Sequence, residues 1–463
     1  MPMSRRKFLT AGAVTAGTTV GATVGRSAQA RIDTGSRWES TYSGGAVDVE
    51  PSPPAMPGKV YRPVVVPNGL TLPFKIVDGA KVFHLVAEEF EHEFAPGLKA
   101  TVWSYNKHLN STVIEAVEGE RVRIYVTNKL AVPTSVHWHG IYLPNGMDGV
   151  SGITQRPIPP GETFKYEWTL RQHGTYMFHS HYDTMTQEGM GLTGSLIIHP
   201  RHPTDDDRVD RDFSLMLNEY RIEPGTSRPD PNEMTDFNVL TINGKAFPGT
   251  APLIAKLNDR VRMRIGNLSA MDHHPIHLHG YRFKIVATDG ERIPVTAQWP
   301  ETTVLVAVGQ TRDIEFIADA PGDWIMHCHM THHIMNQMGH GIPNMVGMEP
   351  GELDVRVRSL LPGYMTMGQG GMGDMAYMQM PVPRNSIPMG SVTLPFGKST
   401  VGGMFTVLKV RQQLANYDDP GWYRHPRDSV ADVASARDLK RDGIAVAPDK
   451  SAPPPMHKQH QHG

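Results

Sequence analysis

The only cysteine of this 463-residue chain, Cys328, lies in the stretch that most constrains what the chain can fold into. It stands between His327 and His329, and His333 and Met338 follow at five-residue intervals. A single thiol cannot form an intrachain disulfide, and flanking histidines favour a metal ligand over a free reactive thiol. Thiolate, imidazole and thioether together are the ligand types that select copper. The stretch therefore predicts a copper site that the rest of the chain must complete.

Composition favours two or three domains with many turns. The chain contains 38 proline, 45 glycine, 26 methionine and 23 histidine residues. Its formal net charge of −2 gives no electrostatic reason to expect nucleic acid or an anionic membrane as a partner. No run approaches the about 18 apolar residues that a membrane-spanning helix needs, so no span is predicted.

Residues 1–30 read as a twin-arginine export signal. Paired arginines at positions 5 and 6 precede a weakly apolar run, which ends in an A-x-A cleavage motif at residues 28–30. The alternative is a basic N-terminal tail. The signal predicts a mature chain that starts near Arg31 and is exported to the periplasm or beyond the cell.

Alternation of polar and apolar residues is typical of half-buried strands, and it occurs over residues 120–126 and 163–168. Proline and glycine separate such segments, and no long amphipathic helix is evident before residue 350. We therefore expect an all-β fold of the sandwich or barrel type.

Two halves of the chain repeat one pattern. Residues 119–140 resemble residues 258–280, and residues 174–181 resemble residues 322–329, which predicts a duplication with a period of roughly 145 residues. The halves differ at the copper ligands, so a mononuclear thiolate–copper site is expected in the second half only. The alignment pairs Thr134 with His274, Ser180 with Cys328, Met185 with His333, and Met190 with Met338.

Four motifs, two in each half, hold paired histidines. Side chains at i and i+2 of a strand point the same way, so each His-x-His pair delivers two imidazoles to one side. Eight imidazoles suffice for a three-copper cluster with open positions for oxygen. The eight are His137, His139, His179, His181, His277, His279, His327 and His329.

Cys328 points away from its two histidine neighbours under the same alternation. It can therefore bind a separate copper while the flanking histidines bind the cluster. A trigonal site of two histidines and one cysteine with a long axial methionine is the blue-copper arrangement. Its ligands would be His274, Cys328, His333 and Met338.

The four motifs, with their internal spacing, resemble those of the multicopper oxidases, the laccase-like family. The resemblance implies cupredoxin-like Greek-key β-sandwich domains and four copper ions. A type 2 copper would be held by His137 and His277. One type 3 copper would be held by His139, His179 and His329, the other by His181, His279 and His327. The type 1 copper would take His274, Cys328, His333 and Met338, and Asp148 would relay protons to bound oxygen. The alternative for Asp148 is an ordinary turn residue.

Only 92 residues separate His181 from His274, which leaves no room for the family's inserted middle domain. The chain thus resembles the two-domain, small-laccase type. That resemblance implies a homotrimer in which the cluster lies between domain 1 of one subunit and domain 2 of the next. Ile334 departs from relatives that have an acid beside the type 1 histidine.

The expected organisation has five parts. They are a signal peptide (1–30), a lead-in (31–60), domain 1 (61–202), domain 2 (203–355) and a mostly irregular, methionine-rich extension with a histidine tail (356–463). Methionines of the extension could bind Cu(I) or fill packing gaps. They are Met365, Met367, Met372, Met375, Met378 and Met380.

The predicted activity couples one-electron oxidation of a small reducing substrate to reduction of O₂ to water. The residues predicted to act are Cys328, His333 and Asp148, with electrons entering at the edge of His333. A phenol or aromatic amine, Cu(I) and Mn(II) stay open as substrates. A copper nitrite reductase would not need the paired cluster histidines, and a non-enzymatic copper store would bind Cu(I) without consuming oxygen.

Overall fold

The structure is a computed structural model that describes residues 50–336, 356, 359–360, 384–387 and 392–445. The predicted signal peptide, most of the lead-in, Met338, the methionine cluster and the histidine tail lie outside the described residues.

The first half of the chain forms two facing sheets. One has the strand order β1-β5-β10-β9-β7, and the other has the order β2-β3-β6-β8 with β4 paired to β3. The elements are β1 (Leu70–Thr71), β2 (Lys75–Val77), β3 (Ala80–Ala95), β4 (Leu98–Tyr105), β5 (Thr112–Val117), β6 (Arg121–Asn128), β7 (His137–His139), β8 (Thr163–Thr169), β9 (Gly174–His179), α1 (Thr184–Gly189) and β10 (Thr193–His199).

The second half repeats this arrangement. One sheet has the order β12-β11-β14-β20-β16-β17 with β18 on β16, and the other has the order β13-β24-β21-β15-β19. A hairpin, β22-β23, and a short helix lie outside these sheets. The elements are β11 (Arg211–Tyr220), β12 (Val239–Ile242), β13 (Leu253–Lys256), β14 (Arg260–Asn267), β15 (His274–Leu278), β16 (Phe283–Thr288), β17 (Glu291–Arg292), β18 (Trp299–Glu301), β19 (Thr303–Val306), β20 (Thr311–Ile317), β21 (Gly322–Cys328), β22 (Thr393–Leu394), β23 (Gly397–Lys398), β24 (Phe405–Arg411) and α2 (Ala436–Arg441).

Alternating burial builds a separate core in each half. On β6, Val122, Ile124 and Val126 are buried while the intervening side chains are partly or largely exposed. These valines and isoleucine join the core of the first half, and the core of the second half is centred on Ile265, Ile276 and their neighbours. The prediction of an all-β chain built from two sandwiches is confirmed.

Strand β24 differs from the expected organisation. The residues after 355 were expected outside the second domain, yet β24 lies between β13 and β21 and pairs Phe405 with His327. It takes the place that β10 has in the first half, between β5 and β9. The alignment of the halves missed this strand because residues 329–404 separate it from β21, whereas β10 follows β9 closely.

Across the described ranges, none of the helices combines the length and the apolar character needed to cross a bilayer.

Candidate metal centre

Three donor atoms converge in the core of the second half. Cys328 Sγ lies 3.5 Å from Nδ1 of His333 and 3.7 Å from Nδ1 of His274, and all three residues are buried. The two Nδ1 atoms are 3.2 Å apart. One ion about 2.0 Å from each nitrogen and about 2.3 Å from the sulfur fits among donors spaced in this way. The predicted axial ligand, Met338, lies outside the described residues.

Residues 402–404 hold the loop that carries His333. The N–H of Met404 donates to the carbonyl oxygen of His333 (3.0 Å), and the N–H of Cys328 donates to the carbonyl oxygen of Met404 (3.1 Å). Gly403 has φ +59°, and a Cβ there would lie 2.4 Å from the His333 oxygen, so only glycine fits without strain. The predicted extension is therefore part of the wall of this site.

The Nε2 atoms of the two imidazoles contact polar side chains on the side of each ring away from Cys328. The Nε2 of His274 is 2.7 Å from Ser269 Oγ, and the Nε2 of His333 is 3.4 Å from an Asp272 carboxylate oxygen. These contacts fix the rings with Nδ1 facing Cys328, as outer partners commonly orient metal ligands. Sequence patterns did not single out Ser269 or Asp272, although Asp272 directly precedes the His273-His274 pair.

Burial shifts the pKa values of His274 and Cys328 in directions that favour the binding of a cation. It lowers the pKa of His274 to about 3, so this imidazole is neutral and available as a ligand at ordinary pH. It also raises the pKa of the Cys328 thiol to about 12, because an isolated thiolate is costly in an apolar core. A bound cation offsets that cost, so the donor set fits the copper ion that its chemistry implies.

The first histidine group lies on β7 and β9. These strands are antiparallel and place His137 opposite His179. The Nδ1 of His139 is 3.3 Å from the Nε2 of His179, and the ring of His181 lies 5.5 Å from that of His137. Donor atoms of His137, His139 and His179 lie within 4.8 Å of one another.

The second histidine group has a similar arrangement, with His277 and His327 on β15 and β21 and His279 and His329 directly after these strands. His277 is opposite His327, and the Nε2 atoms of His279 and His327 are 3.2 Å apart. The ring of His329 lies 5.5 Å from that of His277. His279 and His329 are exposed, so this group is on the protein surface.

Within the described residues, no hydrogen bond or ring contact joins a histidine of one group to a histidine of the other. The eight predicted cluster histidines are thus brought together as two sets of four.

Hydrogen bonds to backbone carbonyl oxygens determine which ring nitrogen of several of these histidines can bind a metal. A carbonyl oxygen can only accept, so the Nδ1 facing it must carry the proton and Nε2 is left for a metal. This orientation is the reverse of that in the Cys328 site. The pairs are His137 with Asp148 (2.9 Å), His179 with Ser180 (3.0 Å), His277 with Thr302 (2.7 Å) and His327 with Cys328 (2.7 Å).

Asp148 lies beside the first histidine group. Its carboxylate oxygen is 3.4 Å from Nδ1 of His137, and the side chain is partly exposed. Gly149 follows with φ +84°, and a Cβ there would lie 1.6 Å from the Val136 oxygen. The glycine lets the chain turn tightly enough to bring Asp148 against His137.

A hydrogen-bonded trio in the first half occupies the place of the Cys328 site. The side-chain oxygen of Gln187 accepts from Thr134 Oγ1 (2.7 Å) and Ser180 Oγ (2.5 Å), and all three residues are buried. Met185, which the alignment paired with His333, is 60% exposed. The alignment is wrong at this position, because helix α1 turns Gln187 inward and Met185 outward.

Comparison with known proteins accounts for both halves. Residues 87–203 and 223–346 match two sequence families, each described as multicopper oxidase, and together these ranges cover more than half of the chain. The chain belongs to the multicopper oxidase family. Among curated relatives of this multicopper oxidase, Copper resistance protein A of Escherichia coli is 29% identical over 45% of the chain and 42% of the relative. Laccase-2 of Cryptococcus neoformans var. grubii is 31% identical over 42% of the chain and 38% of the relative. The chain spans less than half the length of these relatives.

Solved structures resemble this multicopper oxidase over most of its length. Blue Copper Oxidase from Nitrosomonas europaea is 25% identical, with a TM-score of 0.53 over 71% of this chain and 85% of that one. Multicopper Oxidase mgLAC is 24% identical, with a TM-score of 0.54 over 74% and 91%. The cupredoxin-like fold prediction is confirmed.

Proposed function

We propose that this multicopper oxidase transfers electrons one at a time from a small reducing substrate to O₂, which is reduced to water. One observation carries the proposal: strand β21 directs Cys328 into the buried three-donor site and His327 to the histidine group on the surface. The link between the two sites is covalent and short, so a single strand connects electron entry with oxygen chemistry.

Bound copper would supply one-electron transfer at the buried site and O₂ reduction at the histidine groups. The buried site would use His274, Cys328, His333 and Met338. The chain's own residues exclude water from Cys328 and hold the His274 and His333 rings in place. Substrate would meet the site near His333, whose neighbour Asp272 is partly exposed.

The histidine groups support shared ligation by two subunits. The close pair His139–His179 would need a third ligand, His329, and the close pair His279–His327 would need His181. His137 and His277 would share the remaining ion. Within the described residues no contact joins the two histidine groups of one chain, so we propose a homotrimer in which groups of neighbouring subunits meet.

A spectrum combined with oxygen uptake tests the oxidase activity. Copper-loaded protein should be intensely blue and should consume oxygen with a phenol or aromatic amine as reductant. A colourless copper-loaded protein would refute the buried site. Blue protein that never consumes oxygen with any reductant would instead indicate a copper store.

Copper counting against oligomeric state tests the shared cluster. We expect a trimer with four copper ions per chain, as measured by size-exclusion chromatography with light scattering and by elemental analysis. Dissociated monomers that keep all four ions would contradict it.

Asp148 is proposed to move protons at the first histidine group, because its carboxylate lies 3.4 Å from His137 Nδ1. Asp148→Asn should slow oxygen uptake by about 10²-fold or more, as loss of a proton-transfer group commonly does. The blue band should be unchanged. An unchanged rate would leave Asp148 as a turn residue only.

Cu(I) is a second candidate substrate, favoured by two exposed methionines on the chain segments that adjoin the His333 site. Met271 (49% exposed) precedes Asp272, and Met330 (40% exposed) accepts the His333 N–H through its backbone oxygen. Thioethers are soft ligands that select Cu(I). The double variant Met271→Ser/Met330→Ser should slow Cu(I) oxidation but not phenol oxidation. Equal rates on Cu(I) in both proteins would remove this candidate.

Export through the twin-arginine route is proposed from residues 1–30. Replacing the arginines at positions 5 and 6 with lysine should retain the protein in the cytoplasm, as seen by cell fractionation. Unchanged export would contradict this route.

A further inference from the structure

Glu219, near the end of β11, is a buried carboxylate that the proposed chemistry has not yet used. Its Oε1 accepts two backbone hydrogen bonds, from the N–H of Met271 (2.7 Å) and the N–H of Asp272 (3.0 Å). The side chain is 1% exposed. Burying a carboxyl group is costly unless it is hydrogen-bonded, and these two backbone hydrogen bonds meet that requirement.

The second oxygen of Glu219 faces the copper ligand His274. Oε2 lies 3.8 Å from the His274 Nε2, and the Glu219 side chain also contacts the carboxyl group of Asp272. Ser269 Oγ contacts the same nitrogen at 2.7 Å. Glu219 therefore lies directly behind the ring whose Nδ1 faces Cys328.

The same carboxylate also acts on the other histidine. By fixing the Asp272 backbone, Glu219 places the Asp272 carboxylate, which is 3.4 Å from the His333 Nε2. The neighbouring side chains complete this anchor, since Asn218 Nδ2 donates to the Leu268 oxygen and Asn267 Nδ2 donates to the Asp272 oxygen.

We propose that Glu219 is the positioning residue that orients both imidazoles of the His274–Cys328–His333 site, one from behind its ring and one through Asp272. This inference rests on the proposed function, because it assumes that this site holds copper. It requires no change in the charge of Glu219, only its two accepted hydrogen bonds and its shape.

Two substitutions distinguish the hydrogen-bonding role of Glu219 from its charge. Glu219→Gln keeps an oxygen that can accept both N–H groups, so its blue band and its paramagnetic resonance spectrum should match those of the wild type. Glu219→Ala removes the anchor, so the band should shift or weaken and copper affinity should fall about 10- to 100-fold, as for other outer partners of metal ligands. Affinity is measured in the full chain by competition with a copper chelator.

Glu115 offers a matched control in the first half. It too is a buried glutamate whose Oε1 carries two hydrogen bonds, from His199 and the Val64 N–H, while Oε2 is unpartnered among the described residues. Glu115→Ala should lose stability comparably but keep the wild-type spectrum and copper affinity.

A wild-type spectrum and affinity in Glu219→Ala would overturn the proposal, as would an equal loss in Glu115→Ala. Should Glu219→Ala not fold, Glu219→Asp, whose carboxylate is one methylene short of both N–H groups, is measured with the same criteria. Wild-type protein without a blue band would instead refute the proposed function itself.

Discussion

The two halves of this chain share one fold, but they differ at the position of Cys328. The second half has three metal-binding side chains there, and the first half has a hydrogen-bonded trio. In the second half His274, Cys328 and His333 surround a space with three donors 3.2–3.7 Å apart. In the first half a glutamine side chain bridges the equivalent serine and threonine directly. Hydrogen bonds fill this position in the first half, so its polar groups are satisfied without an ion.

The histidines outside this position behave differently, because both halves keep them. Each half has four imidazoles on or just after two adjacent strands, with Nδ1 of several rings bound to backbone carbonyls. The two halves thus agree at the paired histidines and differ at the position of Cys328.

Removing the thiol should produce the largest effect on this comparison. Cys328→Ser gives the second half the residue that the first half has, so the blue band should vanish and oxygen uptake should fall to that of a copper-free blank. The cluster histidines should still bind copper, as elemental analysis would report. Ser180→Ala is the matched change in the first half and should keep both band and rate. Turnover in Cys328→Ser would refute Cys328 as the electron path.

The second-largest expected effect is the release of a proton from Cys328 when copper binds, because the first half has no thiol at this position. Burial raises the pKa of Cys328 to about 12, so the thiol is protonated at pH 7 and must lose its proton to bind the ion. The pKa of His274 is lowered to about 3 by burial, so this ring is already neutral and releases none. Affinity at the buried site should therefore rise about tenfold per pH unit between pH 7 and pH 9.

Calorimetry in two buffers of different ionisation enthalpy measures this release. The thiol contributes one proton in the wild type, and that proton should be missing from Cys328→Ser, which has no thiol to ionise. An equal count in both proteins would mean that the thiol is already ionised before copper binds.

Gln187→Ala should disrupt the hydrogen-bonded trio in the first half and cause an intermediate loss of stability. It leaves two buried hydroxyls without their acceptor, and it should lower the free energy of unfolding by about 2–4 kcal/mol. The loss should be the same with and without copper, as measured by denaturant unfolding, and the blue band should stay. A bleached band would show that the first half supports the copper site through longer-range packing.

Much of this architecture was predictable from the repeat. Period-two alternation predicted the strands, and the paired histidines indicated which strands bring imidazoles together. The histidines at 137, 139, 179 and 181 indeed lie together, as do those at 277, 279, 327 and 329.

The remainder depended on contacts between residues distant in the chain. Strand β24 was missed because the long intervening segment hides its relation to β21, although Gly403 and Met404 line the loop that carries His333. Glu219 lies in a buried strand 55 residues before His274, and its hydrogen bonds follow no sequence pattern. Gln187 was missed because counting five residues from Ser180 assumes a loop, whereas the chain forms α1 there.

Met185 gives the smallest expected effect and the sharpest test of that last point. Counting along the sequence makes it the counterpart of His333, but it is 60% exposed on α1 and Gln187 takes the inner position. Met185→Ala should therefore change the free energy of unfolding by less than about 0.5 kcal/mol, as exposed substitutions usually do. His333→Ala should abolish the blue band, because it removes one of three donors. If Met185→Ala instead destabilised the protein as much as Gln187→Ala, the closed pocket would depend on the thioether as well, and the two halves would match residue for residue.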